Sequence, residues 1–277
     1  MKILMRKGLL YGFIFTSFFS CESNELVKQD HELGFKNQRY FFEGKPYTGK
    51  IISHRDVGYL LSNKNIVEGY RDGQTEFFYE NGHLERIENY STNLREGETV
   101  IYFENKMIHQ KLNFKNDQKV GDYEEWLIDG TRFILGEYQN DLKTNTWYYF
   151  LDKDTLLIES MDSKGGVLKR NTTSKYILTE TIGRDTLTFS ILDSNENELV
   201  KGSYLNDLKS GLFQFKINDK ELNINYKKNK REGEFEYKVK GTTYIKGIYQ
   251  NDKKEGQWRF LDENRFESIG YNNDYLR

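Results

Sequence analysis

The chain has 277 residues, 36% of them hydrophobic, 30% charged and 15% aromatic, with a single proline. A closed core of that size would normally want more Leu, Ile and Val, and the excess of Tyr and Phe suits a thin sheet whose amphipathic rings are half buried. The formal net charge of −2, with no basic tract, argues against nucleic acid as a partner, and one cysteine excludes a disulfide framework.

Lys2, Arg6 and Lys7 precede an apolar stretch from Gly8 to Phe19, too short to span a bilayer but sized for the core of a signal peptide. Residues 1–20 therefore read as an export signal. It ends in Phe18-Phe19-Ser20 and then Cys21, the only cysteine. This junction resembles the lipobox of bacterial lipoproteins, although Phe18 stands where that family prefers an aliphatic residue. The resemblance implies a diacylated Cys21 that becomes the new N-terminus and holds the chain to a membrane. The expected address is the outer membrane or cell surface, or its periplasmic face. Glu22 and Glu25 resemble the export signal of surface-exposed lipoproteins. Residues 21–39 read as the lipidated cysteine and a polar tether, and a modified Cys21 leaves no thiol for metal binding or nucleophilic chemistry.

From residue 40 to 277 the chain is periodic. Gly49, Gly73, Gly97, Gly121 and Asn145 stand 24 residues apart, and Gly211, Gly233 and Gly256 resume the series at 22 and 23. A fixed period of this size marks an array of small stacked units. Each anchor leads into an alternating strand, as in Glu234-Phe235-Glu236-Tyr237-Lys238-Val239, which puts rings on one face and charges on the other. Two turn signals alternate between strands. Asn81-Gly82, Asp129-Gly130, Asn218-Asp219 and Lys240-Gly241 follow the aromatic strand. Asn116-Asp117, Asn140-Asp141, Asn206-Asp207 and Asn251-Asp252 precede the anchor, with a lysine two or three residues later. Both supply the positive φ that tight hairpins need, as the anchors themselves do. Tyr102 and Trp126 fall one residue out of phase, which predicts a β-bulge in those strands. Between Asn145 and Gly211 lie 66 residues, three times 22, so the weakly patterned region near 160–200 reads as degenerate repeats, with turns near Asp162 and Gly183.

These units resemble bacterial MORN repeats, marked by G-x-x-x-x-[YF]-[YF]-x-N-G-x-[LM] followed by an aromatic and a polar turn. The stretch from Gly73 through Phe78, Tyr79, Asn81 and Gly82 to Leu84 is the fullest copy. The resemblance implies an all-β fold: an elongated, twisted, single-layer antiparallel sheet of about ten stacked β-hairpin repeats of 22–24 residues. Some bacterial relatives carry an antitoxin label, and eukaryotic ones are linked to membranes and scaffolding.

No sequence motif points to catalysis, a cofactor or a metal site. His31, His54, His83 and His109 form no H-x-x-x-H pair and read as polar positions on exposed strands and turns. The Asx-rich turns lack the spacing of calcium loops. The carboxylates alternate with Lys and Arg on the charged face, which keeps a sheet soluble. The expected function is a non-catalytic cell-envelope lipoprotein that acts as a repeat scaffold for a protein or glycan partner. An antitoxin or immunity-type protein that neutralises a toxin is the alternative, and a hydrolase with a site hidden in 160–200 a more remote one. The candidate partner surface is the ring row of Trp147, Tyr149, Phe213, Phe235, Tyr237, Trp258 and Phe260, since an uncovered aromatic face of that size marks an interface.

Overall fold

A computed structural model of the chain describes residues 27–54, 58–262, 265–272 and 275–276. The signal segment 1–20 and Cys21 lie outside the described residues. Part of the segment read as a tether is folded, because Val27–Gln29 pairs in parallel with the strand Gly49–His54.

The fold is all-β and antiparallel, with strand following strand through consecutive hairpins. Among the described residues, a 13-stranded sheet runs from Val27–Gln29 to Val167–Asn171, and an 11-stranded sheet runs from Ile177–Ile182 to Tyr275–Leu276. A 3-stranded sheet lies within residues 34–46. Local chemistry accounts for the hairpins. At Asn116-Asp117 and Asn140-Asp141 both residues have positive φ (49° and 65°, 49° and 66°), the signature of a two-residue type I′ turn. At Asn81-Gly82 only the glycine does, at 79°. There the Asn81 side chain accepts the His83 N–H at 2.9 Å, and a three-residue loop results.

The anchors lie in bulges. The ladder between Lys220–Lys227 and Lys230–Val239 slips between Ile224 and Tyr226, opposite Gly233, whose φ is 95°. Asn145 holds the same place with φ 56°, as a residue tolerant of that region does. The ladders do shift register at Ile101/Tyr102 and Glu125/Trp126, but the extra residue, His109 or Phe133, lies on the neighbouring strand rather than in the strand of Tyr102 or Trp126.

The array comes in two lengths that lie face to face. Glu125 meets Arg231, Asp152 meets Asn218, Glu159 meets Lys209 and Tyr204, and Val167 meets Asp207. Residue numbers rise along the first sheet as they fall along the second, so the chain folds back between Asn171 and Ile177, inside the weakly patterned region. Phe133 and Tyr149 of the first sheet contact Phe215 of the second, with ring centres 5.4 and 6.3 Å apart. One hydrophobic core joins Phe103–Val167 to Phe189–Phe260. Over that stretch the single layer expected from the repeats is doubled, because each sheet has an apolar face that the other covers.

Candidate functional site

The seven rings of the expected partner surface are all buried. Trp147, Tyr149, Phe213 and Tyr237 are 0% exposed, and Phe235, Trp258 and Phe260 at most 5%. They form the seam between the two sheets, so this surface is corrected to core. The alternation gave the face on which they lie, but the second sheet occupies it. The rings pack edge to face along the row: Tyr138 on Trp147 at 5.1 Å, Tyr226 on Phe213 at 5.1 Å, Tyr249 on Trp258 at 4.8 Å. A glycine sits under Trp147, Phe213 and Trp258. A Cβ at Gly136 or Gly247 would lie 2.3 or 2.1 Å from the Trp147 or Trp258 ring.

A second column accompanies the rings. Arg71, Arg95, Lys119, Lys143, Lys209, Arg231 and Lys254 each stand two residues before an anchor. Each of five lies over the ring that precedes the next Asx turn: Arg71 over Tyr90 at 4.1 Å, Arg95 over Phe114 at 3.8 Å, Lys119 over Tyr138 at 5.0 Å, Lys209 over Tyr226 at 5.1 Å and Arg231 over Tyr249 at 4.8 Å. Desolvated cation–π contacts are worth up to about 2 kcal/mol each. The backbone N–H groups of the same basic residues donate to the turns. Arg71 donates to Asn93 at 2.7 Å, Arg95 to Asp117 at 3.0 Å, Lys119 to Asp141 at 3.0 Å, Lys209 to Asn229 at 2.7 Å and Arg231 to Asp252 at 2.8 Å. A basic residue at one position thus ties these five repeats to the next by side chain and backbone.

In the second sheet these cations are buried, and Lys209 and Arg231 meet carboxylates of the first. The Arg231 guanidinium donates to both Glu125 oxygens, at 2.8 and 3.0 Å, and Tyr123 also donates to Glu125. Burial alone would raise the Glu125 carboxyl, but Arg231 and then His109 outweigh it and hold it well below the usual carboxylate range. Lys209 lies 3.1 Å from Glu159, which also accepts the Tyr204 hydroxyl, and burial lowers the Lys209 ammonium despite this partner. Burial also lowers Lys143 to about 7, with Lys209 adding to the effect. His109 departs from the exposed position expected of it. It is buried, with Nε2 3.7 Å from Glu125, and burial pushes its imidazole down to about 4. His54 and His83 do hold polar strand and turn positions, bonded to Gln29 at 2.9 Å and the Glu104 carbonyl at 2.8 Å.

The outer face carries a ring column of its own. Phe78, Tyr102, Trp126 and Phe150 each stand five residues after an anchor, 24 residues apart, and all are partly exposed. The next residues, Tyr79, Phe103, Leu127 and Leu151, are buried, so the four rings turn outward. Leu84, Ile108, Arg132 and Thr155 stand opposite them on the neighbouring strands. Tyr148 stacks beside Phe150 with centres 6.4 Å apart. Alternation alone turns these aromatics outward, since Tyr123, Glu125 and Leu127 and likewise Trp147, Tyr149 and Leu151 face inward around them.

A hollow of about 180 Å³ lies at the turn beginning at Gly183, lined by Ile182, Arg184, Asp185, Tyr204 and Asp207 among others. It is smaller than the roughly 300–1,000 Å³ of ligand pockets. Among the described residues, no three His, Cys, Asp or Glu side chains gather to hold a metal ion, and no helix is long and apolar enough to cross a membrane. No family model matches this chain, and no curated protein matches it.

Proposed function

We propose that the chain is a non-catalytic binding scaffold of the cell envelope, held to a membrane by a lipid on Cys21. In this reading its outer ring column takes an extended protein or glycan partner. The observation that carries the reading is the column of Phe78, Tyr102, Trp126 and Phe150, which sits on every second strand of one sheet. At ~4.8 Å per strand the rings are about 10 Å apart, a ladder across the strands that suits a polymer lying along the sheet rather than a compact ligand. Ring faces offer apolar stacking to a sugar or to an apolar side chain, and the flanking Glu124 and Arg132, 3.0 Å apart, add polar contacts.

The inner charges support the same reading from the other side. Glu125, Glu159, Lys209 and Arg231 are committed to one another across the seam, so their perturbed titration belongs to assembly of the two sheets. The test is capture of envelope proteins and glycans by the wild-type chain and by Tyr102→Ala/Trp126→Ala. Loss of capture by a folded double variant supports the outer column. Undiminished capture by that variant removes the column from the binding surface.

A further inference from the structure

The fold-back leaves two strands at open sheet edges, Val167–Asn171 and Ile177–Ile182. Edge strands offer unpaired N–H and C=O groups, and proteins usually guard them with lysine, proline, bulges or short length. Val167–Asn171 carries Lys169 and Arg170. The far edges are Val27–Gln29 and Tyr275–Leu276, of 3 and 2 residues. Ile177–Ile182, with the sequence Ile-Leu-Thr-Glu-Thr-Ile, has none of these guards. It pairs with Thr186–Leu192 without a bulge, and every residue but Leu178 is exposed, Ile182 at 75%. Its one charge, Glu180, accepts Arg170 Nε at 2.8 Å.

Which groups face outward follows from the hairpin. The Gly183 N–H donates to the Thr186 carbonyl at 2.7 Å. In an antiparallel ladder the bonding alternates, so Thr181, Thr179 and Ile177 turn toward Thr186–Leu192. Leu178, Glu180 and Ile182 therefore direct their N–H and C=O groups to the open side, where no strand is paired among the described residues.

We infer that this strand pairs with the same strand of a second copy of the chain, antiparallel, about a two-fold axis at Glu180. Such an axis stands perpendicular to the sheet, so opposed residues must share a face. This register meets that condition and brings the three outward residues into hydrogen-bonded pairs: Leu178 with Ile182 of the second copy, Glu180 with Glu180, and Ile182 with Leu178. Thr179 comes opposite Thr181. Lys175, which holds Asp154 at 2.9 Å within its own chain, comes opposite Asp185. Each Glu180 at the axis brings its own Arg170 as counter-charge. The strand is thus close to its own complement, which selects a second copy over an unrelated strand.

The test is sedimentation of the full chain in detergent. Wild type sediments as a dimer. Ile182→Lys raises the dissociation constant by about tenfold, since the Leu178–Ile182 pair is broken twice about the axis. Leu178→Lys/Ile182→Glu sets opposite charges against each other in this register and restores the dimer. A second readout is independent of charge: in a Cys21→Ser background, Glu180→Cys oxidises to a disulfide-linked dimer and Ile177→Cys does not. A wild-type chain that stays monomeric at the highest concentration reached overturns the proposal. So does a dimer that Ile182→Lys leaves intact, or a Glu180→Cys variant that gives no linked dimer.

Discussion

Arg231→Met is the sharpest probe of the fold-back. Arg231 and Glu125 are 106 residues apart in sequence and belong to different sheets. Both Glu125 oxygens accept from the guanidinium at 2.8 and 3.0 Å, and the two residues are 2% and 9% exposed. With charge centres ~4 Å apart and an effective dielectric of about 20, the attraction is about 4 kcal/mol before desolvation is counted. Removing one partner strands the other, so Arg231→Met and Glu125→Leu are each expected to cost about 3–5 kcal/mol. The double variant removes both charges together, and its cost should fall well short of the sum. The expected coupling energy is about 2–3 kcal/mol.

A repeat array does not unfold as one unit. The quantity to measure is therefore the local opening free energy, read by hydrogen exchange at residues 121–126 and 230–235. In a flat ribbon the two side chains would lie many strands apart, and their effects would add. A coupling below about 0.5 kcal/mol would refute the face-to-face packing, whatever the cost of the single variants.

Three further outcomes are expected. The His109 imidazole, lowered to about 4 in the folded chain and about 6.5 when unfolded, contributes stability that is complete above pH ~6.5. As the pH falls toward 4, the unfolded state takes up more protons and stability drops by up to about 1.4 kcal/mol per pH unit; His109→Gln should flatten this limb in urea titrations at fixed pH, and an unchanged limb rejects the assignment. Gly247→Ala should cost about 1–3 kcal/mol of local stability by overpacking, because its Cβ would lie 2.1 Å from the Trp258 ring, and Trp258→Leu should recover part of that loss in the double variant. Cys21→Ser should move the chain from the membrane fraction to the soluble fraction and change processing of the precursor; identical fractionation would exclude lipidation.

The hairpins were legible because their determinants are local. An Asn-Asp pair sets its own dihedrals, an anchor glycine its own bulge, and an out-of-phase aromatic such as Trp126 reports the bulge beside it. The seam was not legible, since Glu125 and Arg231 leave no mark at any short spacing. Alternation told which face Trp147 and Phe235 share and was silent on what covers that face. The basic column does carry a signal in the sequence. Lysine after the Asx turn looks like ordinary surface chemistry, but Arg71 to Lys254 keep one phase relative to the anchor through seven repeats. A solvated charge is free to drift between neighbouring positions, whereas one held over a ring and bonded through its N–H to the next turn is not. The glycines under the rings were equally visible, since Gly136, Gly202 and Gly247 stand 11 residues before Trp147, Phe213 and Trp258.

The place where the chain reverses follows from where its rings begin and end. Two residues after the anchor stand Ile51, Thr75 and Thr99 in the first repeats, then Tyr123 and Trp147, and Phe213, Phe235 and Trp258 in the second sheet. The first sheet's share of the common core starts at Phe103; ahead of it the buried polar Ser53, Ser62, Thr75, Glu85, Glu88 and Thr99 stand among Ile51, Ile66, Tyr79 and Tyr90. A face that mixes threonine, serine and paired charge with these apolar residues gains less from a second layer. A face of tyrosine and tryptophan gains roughly 1.5–3 kcal/mol for each large side chain covered. Folding back therefore stabilises the array only over the ring-bearing repeats, and the covered stretch coincides with them. Reversal also needs a segment that can leave the ladder without opening a core. Thr172, Thr173 and Ser174 supply it, within the interval from Asn145 to Gly211 where the anchor series is interrupted. The decay of the repeat near 160–200 is thus the feature that lets one ribbon become two facing sheets, and the open edge at Ile177–Ile182 is its direct consequence.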